Sequence, residues 1–281
     1  MSEYNQVFYP ESLQDMYSIW NRYPLCTIFS GGASLLQTQR TIKFKMPEAI
    51  LSLDNIDELH NIDRRERYID IGSQVTLNRI LKLGKIIPDF LKDTIQYAAT
   101  SKIRNLISLG SAICQRTDAI TISAAMAALN ARYELRTANQ SRWLTALTFA
   151  KSGKDTVFEK QELLYRIRIP LQQWNYSLCR ALKAPAGTSD PRTESGFAIF
   201  LASMEKDIIS SVCIVLASSK IIIDKNIESK LVGKKLPLDI READSFVQVW
   251  KNYLDTFEES SAFLRSRFLN FIESAIMHFV D

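Results

Sequence analysis

A chain of 281 residues with 46% hydrophobic and 23% charged residues is long enough for two domains and apolar enough to bury sizeable cores. Its 35 basic and 31 acidic residues leave a net charge of +4 with no basic stripe, which argues against a nucleic-acid binder. No apolar run has the length to cross a bilayer, and the stretch from Met1 to Gln6 lacks the basic start and apolar core of a signal peptide, so a cytoplasmic location is expected.

Ser12, with Asp15 three residues later, reads as a helix cap, and Leu13, Met16, Tyr17 and Trp20 continue the helix at its own spacing. Residues 21–24 break it. Residues 25–29 form an apolar run fit for a buried strand, which ends at Ser30-Gly31-Gly32. Residues 47–53 and 68–72 are predicted strands, with a short helix over 56–62 between them and Thr76 opening another helix over 77–81. This alternation is that of a small α/β layer. Residues 86–99 are predicted helical, 101–111 a loop holding a glycine and serines, and the Ala-rich 119–129 a buried helix. Residues 131–137 and 164–169 alternate with period two and read as half-buried strands, the second closed by Pro170. After a connection at 172–175 a second unit is expected. Its strands lie at 178–184, 197–205 and 208–218, with a loop at 184–191 and final helices at 240–254 and 261–280.

Cys26, Cys114, Cys179 and Cys213 stand far apart with no CxxC, so neither zinc nor an iron–sulfur cluster is expected on this chain, and the thiols read as reduced and mostly buried. Two histidines, His60 and His278, offer little for a triad or a metal site. Two loops carry more chemistry. Glycines at the end of a buried strand permit positive φ, and the N–H groups of the turn after Phe29 can cradle a diphosphate, with Ser30 and Ser34 as further donors; an ordinary tight turn is the competing reading. Ser108-Leu109-Gly110-Ser111-Ala112 repeats that logic, and a long dinucleotide-like cofactor needs more than one anchoring loop. The absence of GxGxxG disfavours a Rossmann site. Thr117, Asp118 and Thr121 lie before the Ala-rich helix and can either cap it or bond a ribose. Lys183 and Arg192 flank the 184–191 loop and read as solvated, and Arg265 and Arg267 as an exposed helix face. No carboxylate pair, nucleophile with base, or metal cluster stands out, which favours a reaction carried by a cofactor.

Taken in order, these segments resemble the FAD-binding medium subunit of molybdenum hydroxylases, the xanthine dehydrogenase and carbon monoxide dehydrogenase family. Phe8 to Leu13 is similar to that family's start, and Ser30-Gly31-Gly32-Ala33-Ser34-Leu35-Leu36 to its first flavin loop, typically AGG followed by Thr or His and an Asp or Ser. Tyr68 to Leu77 resembles IGA-x-VT, and Ile103 to Ile113 resembles IRN-x-x-T-x-GGN-I. Glu162 to Pro170 looks like the strand leading out of the flavin domain; Leu231 to Lys234 and Ser260 to Arg265 look like the C-terminal domain.

The resemblance implies an α+β fold. A two-lobed, PCMH-like FAD-binding domain is expected over 1–171, with lobes at about 1–75 and 76–171, then a C-terminal domain of a small antiparallel sheet plus helices over 172–281. It implies FAD held at Phe29, Ser30, Gly31, Gly32, Ala33, Ser34 and Leu35, and at Ser108, Gly110, Ser111 and Ala112. Thr117 and Thr121 are expected nearby, with Leu164 and Lys183 towards the flavin or adenine end; no side chain is expected to be catalytic by itself or to hold a metal. The implied partners are a molybdopterin-binding large subunit and a [2Fe–2S] small subunit in a heterooligomer, with electrons passing through FAD to NAD, oxygen or another acceptor. The family's GGN is here Gly110-Ser111-Ala112, and the acidic residue usual eleven positions after its first glycine is Thr121. A second reading therefore stays open: a degenerate subunit that keeps the fold for assembly and binds FAD weakly or not at all.

Overall fold

The structure, a computed structural model, describes residues 6–32, 47–115, 120–152, 157–184, 195–257 and 261–280. They form two compact units. One comprises Met1–Ile87, Ala98–Ala119 and Leu129–Leu171; the other comprises Pro88–Tyr97, Ile120–Ala128 and Gln172–Asp281.

The first unit opens with β1 (Gln6–Phe8), α1 (Leu13–Arg22), β2 (Thr27–Phe29) and β3 (Ala49–Ser52). Ser12 caps α1 by accepting from the Asp15 N–H at 3.1 Å, and the expected face of Leu13, Met16 and Tyr17 is buried. β3 lies between β1 and β2 in a parallel three-stranded sheet, placing Leu51 beside Phe8 and Ile28. Met16, Leu51, Ile56 and Leu59 pack together as its core. Burying aliphatic side chains of this size stabilises by about 1.5–3 kcal/mol each.

β4 (Ile62–Arg64), β5 (Tyr68–Gly72), α2 (Leu77–Leu81), α3 (Asp89–Ala98), α4 (Ser101–Arg104), α5 (Leu109–Cys114) and α6 (Ile120–Ala128) follow. Then come β6 (Arg132–Arg136), β7 (Ser141–Thr145), α7 (Ala146–Lys151) and β8 (Leu163–Pro170). An antiparallel sheet runs in the order β4-β5-β8-β6-β7. Its period-two pattern buries Ile69, Ile71, Ile167, Ile169, Tyr133 and Leu135. The alternate positions carry charge: Arg168 grips Asp70 through two 2.8 Å hydrogen bonds, and Arg166 pairs with Glu134. The guanidiniums of Arg166 and Arg168 lie over Trp143, 5.5 and 4.6 Å respectively from its ring centre.

The second unit adds β9 (Tyr176–Leu182), β10 (Gly196–Glu205), β11 (Ile208–Ala217), β12 (Ile221–Ile222), α8 (Lys225–Glu228), α9 (Ile240–Leu254) and α10 (Ala262–Ile276). Its antiparallel sheet has the order β12-β11-β10-β9. Residues 197–202 of β10 are buried without alternation because both faces are covered. Ala198, Phe200 and Ala202 pack with Phe246, Trp250 and Phe268 of α9 and α10. α6 packs on β10 and β11, and Tyr97 of α3 sets its ring 6.0 Å from Phe197. The alanines of α6 suit a helix lying close against a sheet.

Several expectations need correction. Residues 101–111 are not a plain loop: Thr100 opens α4, and Ser108 caps α5. The helix expected over 56–62 is a 3-10 turn at Asp57–His60, followed by β4. Pro170 does not close β8 from outside but is its last residue, paired with Tyr68. Thr121 lies inside α6, so it does not cap that helix. Only Cys26 and Cys213 are buried; Cys179 is half-buried and Cys114 is exposed. Burial pushes the Cys213 thiol up to about 12 and the Cys179 thiol up to about 11. Among the described residues no helix is long and apolar enough to cross a membrane, and no group of His, Cys, Asp and Glu could hold a metal ion.

Candidate functional site

Three turns of the first unit meet at one place, and glycines decide how closely. β2 ends at Phe29, and the chain turns at Ser30-Gly31-Gly32 with φ of +61° at Gly31 and +71° at Gly32, the left-handed region that glycine enters without cost from a Cβ. A Cβ on Gly31 would stand 2.1 Å from the Leu106 carbonyl oxygen, so the turn packs directly on backbone just before α5. β5 ends at Gly72, and the following Ser73 to Leu77 runs along Ile107 to Gly110. Gly110 N–H donates to Ser73 O at 2.8 Å, Leu109 N–H to Val75 O at 2.8 Å, and Leu77 N–H to Ile107 O at 3.0 Å. A Cβ on Gly110 would lie 2.7 Å from Ser73 O, so the start of α5 and this turn fit only with glycine between them.

Hydroxyls lock the turns together. Ser108 caps α5 by accepting the Ser111 N–H at 3.1 Å, and its Oγ lies 2.8 Å from Ser30 Oγ. Ser30 in turn donates to Gln74 Oε1 at 2.8 Å, and Ser111 Oγ donates to Ser108 O at 3.0 Å. These turns border a cleft of about 440 Å³, a size usual for small-molecule sites. Trp20, Ile28, Leu53, Phe158, Leu163 and Leu164 give it apolar walls; Ser30, Ser73, Gln74, Gly110 and Ser111 give it polar ones. Glu162, whose side chain is 2% exposed, also lines it, and Arg142 holds it with two 2.7 Å hydrogen bonds. Arg142 also donates to Val157 O at 2.7 Å, and Glu162 accepts the Glu159 N–H at 2.9 Å. This carboxylate braces the wall rather than standing ready as a base. Beneath α1, Tyr17 donates to Arg136 O at 2.5 Å, and burial pushes its phenol up to about 12.

The cleft brings together Ser30, Gly110, Ser111 and Leu164 of the expected residues. Phe29 sits behind the turn, its ring 2.9 Å from where a Gly32 Cβ would be, and Gly31 and Gly32 shape the turn itself. Ser108 serves as the cap, and Ala112 is buried without lining the cleft. Thr121 and Lys183 belong to the second unit, Thr121 half-buried within α6 and Lys183 exposed after β9. Ala33, Ser34, Leu35, Thr117, Asp118 and Arg192 lie outside the described residues. Sequence reasoning missed Ser73 and Gln74, although strand, glycine and then polar residues at 68–74 repeat the pattern that drew attention to Ser30.

The family described as the FAD binding domain in molybdopterin dehydrogenase matches residues 2–172. The glyceraldehyde dehydrogenase medium chain of Sulfolobus acidocaldarius is 26% identical over 163 residues, 57% of this chain and 58% of that one. The carbon monoxide dehydrogenase medium chain of Afipia carboxidovorans is 27% identical over 145 residues, half of either chain. This chain thus spans less than two thirds of the length of either relative. In fold, it is similar to a chain of quinoline 2-oxidoreductase from Pseudomonas putida 86, with a TM-score of 0.81, 20% identity, and coverage of 98% of this chain and 96% of that one. The residues present also fit FAD: apolar walls suit its ring systems, and Ser73 Oγ, buried with no hydrogen-bond partner among the described residues, leaves a polar group for a ligand to satisfy. With an α+β fold, a glycine-shaped cleft and a match over more than half its length, the chain belongs to the family of FAD binding domains of molybdopterin dehydrogenases.

Proposed function

We propose that this chain is the FAD-carrying electron-transfer subunit of a cytoplasmic molybdopterin-dependent hydroxylase or dehydrogenase. It works as an oxidoreductase component beside a molybdopterin large subunit and a [2Fe–2S] small subunit. The cleft walled by the Ser30, Ser73 and Ser108 segments carries this reading, and the names of the two medium-chain relatives support it. When bound, FAD supplies the exchange between single electrons arriving from clusters and the pair delivered to an acceptor such as NAD.

The chain's own contribution is to bind and orient. The turn at Gly31-Gly32 and the start of α5 bring backbone close to the cofactor, and Leu163 and Leu164 exclude water from one wall. The Arg142–Glu162 pair keeps that wall in place. As a functional division we assign the cofactor to residues 1–171, in lobes at about 1–75 and 76–171, and leave 172–281 as the C-terminal part.

Ser111 and Ala112, where the motif carries glycine and asparagine, favour the second reading of a subunit that keeps the fold for assembly. Purification together with both partners, followed by a visible spectrum and reconstitution with FAD, separates the two. The flavin reading expects a flavin spectrum, native or restored. A stable three-subunit complex that takes up no flavin would establish the assembly role instead.

A further inference from the structure

The proton count around Ser30 fixes the direction of the hydroxyl chain in the cleft. Ser108 Oγ accepts the Ser111 N–H at 3.1 Å, Ser108 and Ser30 stand 2.8 Å apart, and Ser30 donates to Gln74 Oε1 at 2.8 Å. Ser30 has a single proton and gives it to Gln74, so Ser108 must give its own to Ser30. The chain of donation therefore ends on the carbonyl oxygen of the Gln74 amide. With Oε1 turned to Ser30, the two Nε2 hydrogens are left over.

Among the described residues Nε2 has no partner, although Gln74 is only 4% exposed and lines the cleft. Next to it Ser73 is 3% exposed, lines the same cleft, and has a buried Oγ without any hydrogen-bond partner. Two consecutive residues thus hold unused donors in the cleft, and the buried Ser73 hydroxyl costs stability until a partner arrives. Among the described residues no lysine or arginine lines the cleft, and its two carboxylates, Glu159 and Glu162, are both paired with Arg142, so an anionic oxygen at Ser73 and Gln74 meets neutral donors.

We propose that Ser73 and Gln74 form a donor pair that grips a diphosphate oxygen of the cofactor and supplies the amide that Gly110-Ser111-Ala112 lacks. The proposal rests on the reading of the cleft as the FAD site. Ser30 and Ser108 are positioning residues here: they hold the Gln74 amide in the orientation that presents its hydrogens.

Binding of FAD, ADP and riboflavin to the full chain, by fluorescence quenching and equilibrium dialysis, tests it. ADP shares the diphosphate with FAD, and riboflavin carries no phosphate. Gln74→Glu keeps the oxygen to which Ser30 donates and replaces only the amide nitrogen. Ser73→Ala removes a hydroxyl with no hydrogen-bond partner among the described residues, so its thermal melt should stay close to wild type, and the melt of Gln74→Glu reads what a carboxylate costs at that position. The expected result is a loss of about tenfold or more for FAD and ADP in Gln74→Glu, and of roughly threefold to tenfold in Ser73→Ala, with riboflavin unchanged. If wild type binds FAD and both variants bind FAD and ADP within about twofold of it, the donor pair is overturned while the cofactor reading stands. Equal losses for riboflavin overturn the assignment to the diphosphate. A wild-type chain that takes up no FAD overturns the cofactor reading and this proposal with it.

Discussion

Gly31 shows how much one residue decides at this site. Its φ of +61° alone makes a side chain unfavourable, by about 1–2 kcal/mol on the cost of the left-handed region. Its Cβ position 2.1 Å from Leu106 O adds a collision with backbone, which cannot rotate away. Gly84 supplies the control, with φ +60° and open space around it. In urea melts Gly84→Ala should lose only the conformational part, whereas Gly31→Ala should lose at least about 3 kcal/mol. Equal losses would show that the turn does not rest on Leu106. At this scale much of the site was legible: glycines after an apolar strand announce positive φ, and Ser30 and Ser108 stood out as small polar residues beside them. Ser73 and Gln74 did not, because what marks them is donors left unpaired among the described residues, which only folding shows.

Among the elements, capped helices with a clean apolar face were the easiest to read. α1 and α2 begin after Ser12 and Thr76 as expected, and α9 runs from Ile240 to Leu254 as its periodicity requires. β7 was missed because Ser141 to Thr145 is held by cross-strand pairing with β6 and by arginines stacking on Trp143, neither of which has a local signature. α4 and α5 were read as loop because helices of four and six residues contain too little periodicity to see. α8 was also unpredicted, yet it carries a buried carboxylate. Glu228, 2% exposed, accepts the Ile214 N–H at 2.8 Å and Lys225 Nζ at 2.7 Å. Burial raises its carboxyl above the ordinary value, and Asp224 adds to this, while the Ile214 N–H and Lys225 oppose it. A raised folded-state value means that the protonated form is favoured by folding. That stability is fully present below the unfolded value and is lost as pH rises through the folded one. Glu228→Gln should therefore be more stable than wild type at about pH 8, with the advantage shrinking towards about pH 4. An advantage that grows on acidification would refute the sign.

For the whole molecule, the cleft lies within one compact unit and the described strands of the second unit contribute nothing to its lining. FAD at about a hundred times its Kd should stabilise the state it binds by about 2.7 kcal/mol. Hydrogen exchange should show the largest local slowing at residues 30–32, 72–74 and 108–114. Slowing centred on β10 and β11 instead would move the cofactor site out of the first unit. Each unit is assembled from three stretches of chain, with Pro88–Tyr97 and Ile120–Ala128 lying in sequence between parts of the first and packing in the second. No single cut divides the gene into two self-sufficient halves. A fragment starting at residue 172 would leave behind the helix that covers β10 and β11, and one ending there would carry two helices parted from their unit. Splitting the chain at one point therefore separates α3 and α6 from the C-terminal sheet with which they form a unit.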